Sequence, residues 1–395
     1  MIIRNARIFR KEGCFRDGEI RIGTQVFEEV KLSGPEETGH APEAAGDSQE
    51  TVIDAHGLYA IPGLVDIHFH GCMGHDLCEG SPEALNTLAE GELSRGVTAI
   101  VPATMTYDEE TLSKVMEAVS GYRRLQEEDP ASGRMGAYLY GVRTEGPFIS
   151  PKKMGAQNPA YIRDPDIAMF RRLQEKAHGA ILICDMAPEQ PGGMEFIREL
   201  KDEVRISIAH TTADYETAKE AFETGASHVT HLFNAMPPLS HRAPGVIGAA
   251  ADAEKAAVEL ICDGVHIHPS VIRAVFRIFG DDRICLISDS MMAAGLPDGE
   301  YSLGGQKVFV HGKNAVLEDG TLAGSVSFLS DCLKTAVCEM GIAPESAVKC
   351  ASVNPARAAG IFDRCGSIDE GKSADLLLVD EKMTIQTVIC RGRML

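Results

Sequence analysis

The 395-residue sequence lacks a Cys-x-x-Cys pair. Its eleven cysteines, Cys14, Cys72, Cys184, Cys262 and Cys350 among them, are odd in number and irregular in spacing. This excludes a regular disulfide framework and fits reduced thiols, so a cytoplasmic protein is expected. Long apolar runs are also missing, none approaching the roughly 20 residues that cross a bilayer. The opening segment, residues 1–9, carries Arg4 and Arg7 inside its apolar run and reads as a strand, so a soluble protein without a membrane partner is expected. Positive charge is scarce, with 38 basic against 58 acidic side chains and a formal net charge of −20. With no basic patch to offset it, that balance excludes a nucleic acid partner and leaves any anionic ligand to a few local donors. Nor is there a glycine-rich phosphate turn after the first strand: Gly71-Cys72-Met73-Gly74 does not make one, which argues against a doubly wound open sheet.

What is present is a composition able to bury a large core, 44% hydrophobic and 24% charged. Residues 2–9, 19–22, 25–30 and 51–54 read as short strands, and a polar, acidic stretch from Ser33 to Glu50 reads as an exposed loop. Strand patterns return at residues 374–379 and 385–390, so residues 1–60 and 363–395 are expected to form one small β-sandwich-like domain. Between them, residues 61–362 alternate short apolar runs with helical segments such as 109–125, 167–176 and 213–224. Eight runs can be counted, at 64–67, 98–101, 137–142, 180–184, 205–209, 228–232, 257–262 and 283–287. Eight such units predict a (β/α)8 TIM-like barrel of α/β class.

Candidate ligands gather at one end of these runs. His68 and His70 follow the first, Glu145 the third, and Asp289 the eighth, while His210 and His231 close the fifth and sixth. In a barrel these are C-terminal strand ends, where active sites of this fold assemble. Residues two apart share a face, so His68 and His70 can bind one metal. A set of His, Asp and Glu suits a divalent cation, Zn²⁺ first, with Fe²⁺ or Mn²⁺ as alternatives. A single strand-end histidine is ordinarily just hydrogen-bonded, and His40, His56, His75, His178, His228, His268 and His311 are read that way. Six candidates at ends of one polarity are not.

Several motifs then become specific. Pro62-Gly63-Leu64-Val65-Asp66-Ile67-His68-Phe69-His70-Gly71 resembles the first-strand motif of the amidohydrolase superfamily. Thr144-Glu145-Gly146-Pro147-Phe148, Ala209-His210-Thr211, Thr230-His231-Leu232-Phe233-Asn234-Ala235-Met236-Pro237, Asp263-Gly264-Val265-His266, Ser288-Asp289-Ser290-Met291 and Thr321-Leu322-Ala323-Gly324-Ser325 resemble the N-acetylglucosamine-6-phosphate deacetylase family, in family order.

The resemblance implies that Glu145, His210 and His231 hold a principal metal, and that His68 and His70 allow a second, with Glu145 able to bridge. It implies Asp289 as general base and then general acid in releasing acetate from N-acetylglucosamine 6-phosphate. It implies substrate contacts from Ala156, Gln157, Asn234, Ala235, Asp263, His266, Leu322, Ala323, Gly324 and Ser325. Arg242 matches an arginine that reaches the phosphate in a neighbouring subunit, implying a homodimer. At Ala156-Gln157 the chain departs from the pattern: Gln157 stands where some members carry a His thought to assist at the acetyl carbonyl, and it cannot become cationic.

Three alternatives stay open at this level. The galactosamine isomer differs at one hydroxyl. A different amidohydrolase is disfavoured because cyclic amidases usually need a Lys after the fourth strand, where Cys184-Asp185-Met186-Ala187-Pro188 stands. A non-catalytic sugar-phosphate binder would have lost Asp289 or a ligand, and none is lost.

Overall fold

Alternation within single strands decides how the centre of the chain folds. In Ile284–Ile287, Cys285 and Ile287 face a core inside a ring of strands, while Leu286 faces a second core between strands and helices. The computed structural model describes residues 1–33, 51–128 and 136–395. From residue 34 onward, the loop expected between Ser33 and Glu50 lies outside the described residues.

Eight parallel strands follow one another in both chain and space: Leu64–Asp66, Val97–Ile100, Tyr138–Leu139 continued by Val142–Glu145, Ile181–Met186, Arg205–Ile208, His228–Val229, Ala257–Ile261 and Ile284–Ile287. The last returns to the first where Asp289 N donates to His68 O at 2.9 Å and His70 N donates to Ser290 O at 2.7 Å. All eight expected runs are strands, and the ring is the expected (β/α)8 barrel. Outside it lie the helices. Ile167–Lys176 starts where the Asp166 carboxylate accepts from Met169 N at 2.9 Å, and it buries Met169, Phe170 and Leu173 against the barrel. Each such fully buried side chain contributes about 1.5–3 kcal/mol of hydrophobic stabilisation.

The chain ends meet in one eight-stranded sheet. Tyr59–Pro62 lies antiparallel to Leu376–Val379 and parallel to Ile2–Arg10, which joins the first and last segments. The sheet encloses its own apolar core of Ile3, Ile8, Ile20, Phe27, Leu376 and Ile389.

One element was not read from the sequence. After the eighth barrel strand, Gly299–Leu303, Gln306–His311 and Asn314–Val316 form an antiparallel sheet. Its Leu303, Val308 and Val310 pack with Met105, Ala156 and Met291, so it stands beside the C-terminal mouth of the barrel. Among the described residues, no helix is long and apolar enough to cross a membrane.

Candidate metal centre

Glu145 is the last residue of the third strand, and His210, His231 and Asp289 each lie two residues beyond the fifth, sixth and eighth. Backbone conformation turns these side chains inward: φ is +43° at His210, +26° at His231 and +49° at Asp289. Left-handed backbone at a residue other than glycine costs about 1–3 kcal/mol and persists where the surroundings impose it. Hydrogen bonds do so here: Ser150 N donates to His210 O at 2.9 Å, Asn234 N to His231 O at 2.9 Å and Ser325 N to Asp289 O at 2.7 Å.

The donors fall into two groups, Glu145 with His210 and His231, and His68 with His70 and Asp289. Glu145 Oε1 lies 3.1 Å from His210 Nε2 and 2.9 Å from His231 Nε2, and those two nitrogens are 3.2 Å apart. Glu145 also faces the other group, its Oε2 lying 3.2 Å from His70 Nε2. Asp289 Oδ1 is 3.3 Å from His70 Nε2 and 3.7 Å from His68 Nε2.

Three rings are anchored through Nδ1: His68 on the Glu259 carboxylate at 2.9 Å, His70 on Ala103 O at 3.2 Å and His210 on Lys153 O at 2.8 Å. An Nδ1–H donated outward leaves each Nε2 lone pair facing inward, the tautomer a metal requires. His68 Nε2 is buried without a hydrogen-bond partner among the described residues. Convergent lone pairs and an orphaned ring nitrogen fit a divalent cation.

Charge follows the same geometry. Burial opposes ionisation of Glu145, but His68, His210 and His231 outweigh it and hold the carboxyl well below the usual carboxylate range. Burial and the Arg143 guanidinium oppose a proton on His68, yet Glu259 and Glu145 push it up to about 9. His70 is raised for the like reason, burial being overcome by Asp289 and Glu145. Asp289 is lowered, His70 and His68 outweighing its burial.

The centre forms the floor of a cavity of about 480 Å³, a size suited to a small molecule. Of the other candidates, Ala156, Gln157, Asn234, Ala235, His266, Leu322 and Gly324 line it. Asp263 lies behind, its carboxylate accepting from His266 Nδ1 at 2.7 Å. Ala323 is buried, and Ser325 is turned away, its hydroxyl donating to Ser288 O at 2.6 Å. Arg242 is exposed outside the cavity, with Nη1 2.8 Å from His241 Nε2. Gln157 donates to Glu145 Oε2 at 2.6 Å and accepts from Thr106 N at 2.7 Å, so its amide clamps the Glu145 carboxylate.

Beneath the histidines lies a set of fully buried charges that sequence reading missed. Arg143 donates to both oxygens of Asp185 and to Glu259. The available signal was a charged residue inside or directly after an apolar run, as at Glu259 and Arg143. His228, read as an ordinary hydrogen-bonded histidine, sits in this layer with Nε2 2.8 Å from Glu259 Oε1.

Comparison with known proteins agrees with this geometry. Residues 59–395 match the profile of the Amidohydrolase family. The chain is 36% identical over 393 residues to an N-acetylglucosamine-6-phosphate deacetylase of Bacillus subtilis (strain 168), covering 99% of this chain and 96% of that protein. It is 30% identical to an N-acetylgalactosamine-6-phosphate deacetylase of Escherichia coli O157:H7, covering 100% and 98%. Among solved structures, a point mutant of the N-acetyl-D-glucosamine-6-phosphate deacetylase of Mycobacterium smegmatis, in complex with N-acetyl-D-glucosamine-6-phosphate, superposes with a TM-score of 0.87 at 28% identity, covering 100% of this chain and 98% of that one. Matched over residues 59–395 by the family profile and along nearly its whole length by such relatives, the chain belongs to the amidohydrolase family.

Proposed function

We propose that the protein hydrolyses N-acetylglucosamine 6-phosphate to glucosamine 6-phosphate and acetate. One observation carries the reading: two donor groups meet at Glu145, whose Oε2 faces His70, and they place Asp289 at the floor of a small-molecule cavity. Relatives that bear this activity in their names support the substrate. In this reading Glu145, His210 and His231 hold one cation and His68 and His70 a second, with zinc the first choice and iron or manganese as alternatives. A bound cation supplies positive charge that acidifies water and polarises an amide oxygen.

The remaining chemistry belongs to the chain. Asp289, ionised and at the cavity floor, accepts a proton as water adds to the acetyl carbon, and it returns that proton to nitrogen as the C–N bond breaks. Acetic acid and a free amine result, the acid losing its proton to solvent or to the amine as acetate, and the Asp289 carboxylate is regenerated. Gln157, occupied by Glu145 and Thr106, steadies the shared ligand. Asn234, Ala235 and His266 line the cavity where the sugar phosphate would lie, with Asp263 fixing His266 and residues 322–325 closing one side. Arg242 is proposed to act on the phosphate in a second copy's site, which makes the protein a homodimer. The same reading assigns residues 1–60 and 363–395 to the small β domain and 61–362 to the catalytic barrel. A cytoplasmic location is supported by eleven free cysteines.

The galactosamine isomer is the second reading, favoured by the Escherichia coli relative. Assay of the purified, cation-loaded protein with both sugar phosphates decides between them. Turnover of the glucosamine derivative is expected to dominate, and turnover of neither ends the proposal.

A further inference from the structure

Glu259 is fully buried in the middle of the seventh barrel strand, Ala257–Ile261, on the face that points into the barrel. An isolated carboxylate there is costly, so its partners must be accounted for. Four groups donate to it. Oε1 faces Arg143 Nη1 and lies 2.8 Å from His228 Nε2, while Oε2 lies 2.9 Å from His68 Nδ1 and 3.1 Å from the His231 backbone N. Arg143 is shared with Asp185, so one guanidinium serves two carboxylates and negative charge is left over toward His68. His68 and His231 belong to different donor groups, and Glu259 touches both.

We infer that Glu259 is a positioning residue that makes His68 a cation ligand by fixing its Nδ1–H tautomer. A carboxylate behind an imidazole orients the ring and raises its donor strength. Among the described residues Glu259 is the hydrogen-bond partner of His68 Nδ1, whereas His70 and His210 are fixed by backbone carbonyls. The occupancy of the His68, His70 and Asp289 group therefore depends on a side chain that does not line the cavity. This inference rests on the reading that the centre holds cations.

The test titrates full-length, chelator-stripped protein with Co²⁺ and follows stoichiometry and the visible spectrum. The wild type is expected to take two ions per chain. Glu259→Gln is expected to take the first as the wild type does and to bind the second about 10- to 100-fold more weakly. Wild-type affinity for both ions in the variant overturns the inference, as does a wild type that takes only one. A wild type that takes none overturns the cation reading itself. Should Glu259→Gln fail to fold, the tautomer is read in the zinc-loaded wild type by ¹H–¹⁵N spectroscopy of labelled histidine, with His68 assigned by its loss in His68→Asn. A proton on Nδ1 supports the inference, and a proton on Nε2 overturns it.

Discussion

His210 and His231 bring their Nε2 atoms within 3.2 Å of each other on one oxygen of Glu145. Two ring nitrogens that close, each with a lone pair, need a proton or a cation between them. Without a cation the carboxylates keep protons on the rings: His210 is raised by Glu145 against its burial, and His68 reaches about 9. Cation binding must then expel protons, and apparent affinity should fall as pH drops below about 9. Calorimetric titration of chelated protein in two buffers of different ionisation enthalpy should give different heats. Equal heats would contradict this. In the chelated state the His68 pairing adds stability that is fully present below pH 6.5 and lost as pH rises through about 9. The melting temperature of the chelated protein should show that loss, and the zinc-loaded protein should not.

Asp289→Asn keeps the shape of the side chain and removes its ability to take a proton. The Glu145 group does not include it, so one cation should remain bound. Loss of general acid and base work should lower kcat by about 100-fold or more. Single-turnover measurement with cation content determined on the same sample checks this, and wild-type kcat would remove Asp289 from its assigned role.

Much of this site was legible because barrels expose ligands at one end of every strand. His68, His70, Glu145, His210, His231 and Asp289 could be read by position alone, since each follows or closes an apolar run. The partners of Arg143 and Glu259 could not be read that way. Which inward faces meet across a barrel depends on strand tilt and stagger, and these are fixed only when the ring closes. The sheet at 299–316 was missed because its three strands are short and partly polar, and its apolar positions pack against residues distant in the chain such as Met105 and Ala156. Gln157 was legible as a departure, but its clamp on Glu145 needed the approach of Thr106 from another loop.

Gln157→Ala removes the acceptor for Thr106 N and the donor to Glu145 Oε2 together. A buried N–H left without a partner costs about 1–3 kcal/mol. Urea unfolding should show a loss of that order, with a fall in kcat as Glu145 gains freedom. A variant of unchanged stability and activity would mean that the clamp has no consequence.

Arg143→Met removes the guanidinium that Asp185 and Glu259 share, in a layer that is fully buried. Removing one partner from a buried charge set destabilises by about 3–5 kcal/mol. Denaturant midpoints measured with zinc present should register it. A shift below about 1 kcal/mol, the range of an exposed ion pair, would show that the layer is not charged as drawn.

Arg242 stands outside the cavity of its own chain, so its proposed contact with phosphate requires a second copy. Arg242→Ala should then lower kcat/KM by about 10- to 100-fold, the worth of a charge-assisted hydrogen bond, chiefly through KM. Mixing distinguishes the copies. An Arg242→Ala chain keeps Asp289, and an Asp289→Asn chain keeps Arg242, so each mixed dimer has one complete site. Random exchange of equal amounts should restore about a quarter of all sites to native composition. Activity at low substrate should therefore rise on mixing two nearly inactive proteins. If it stays at the average of the two, Arg242 serves its own chain or none.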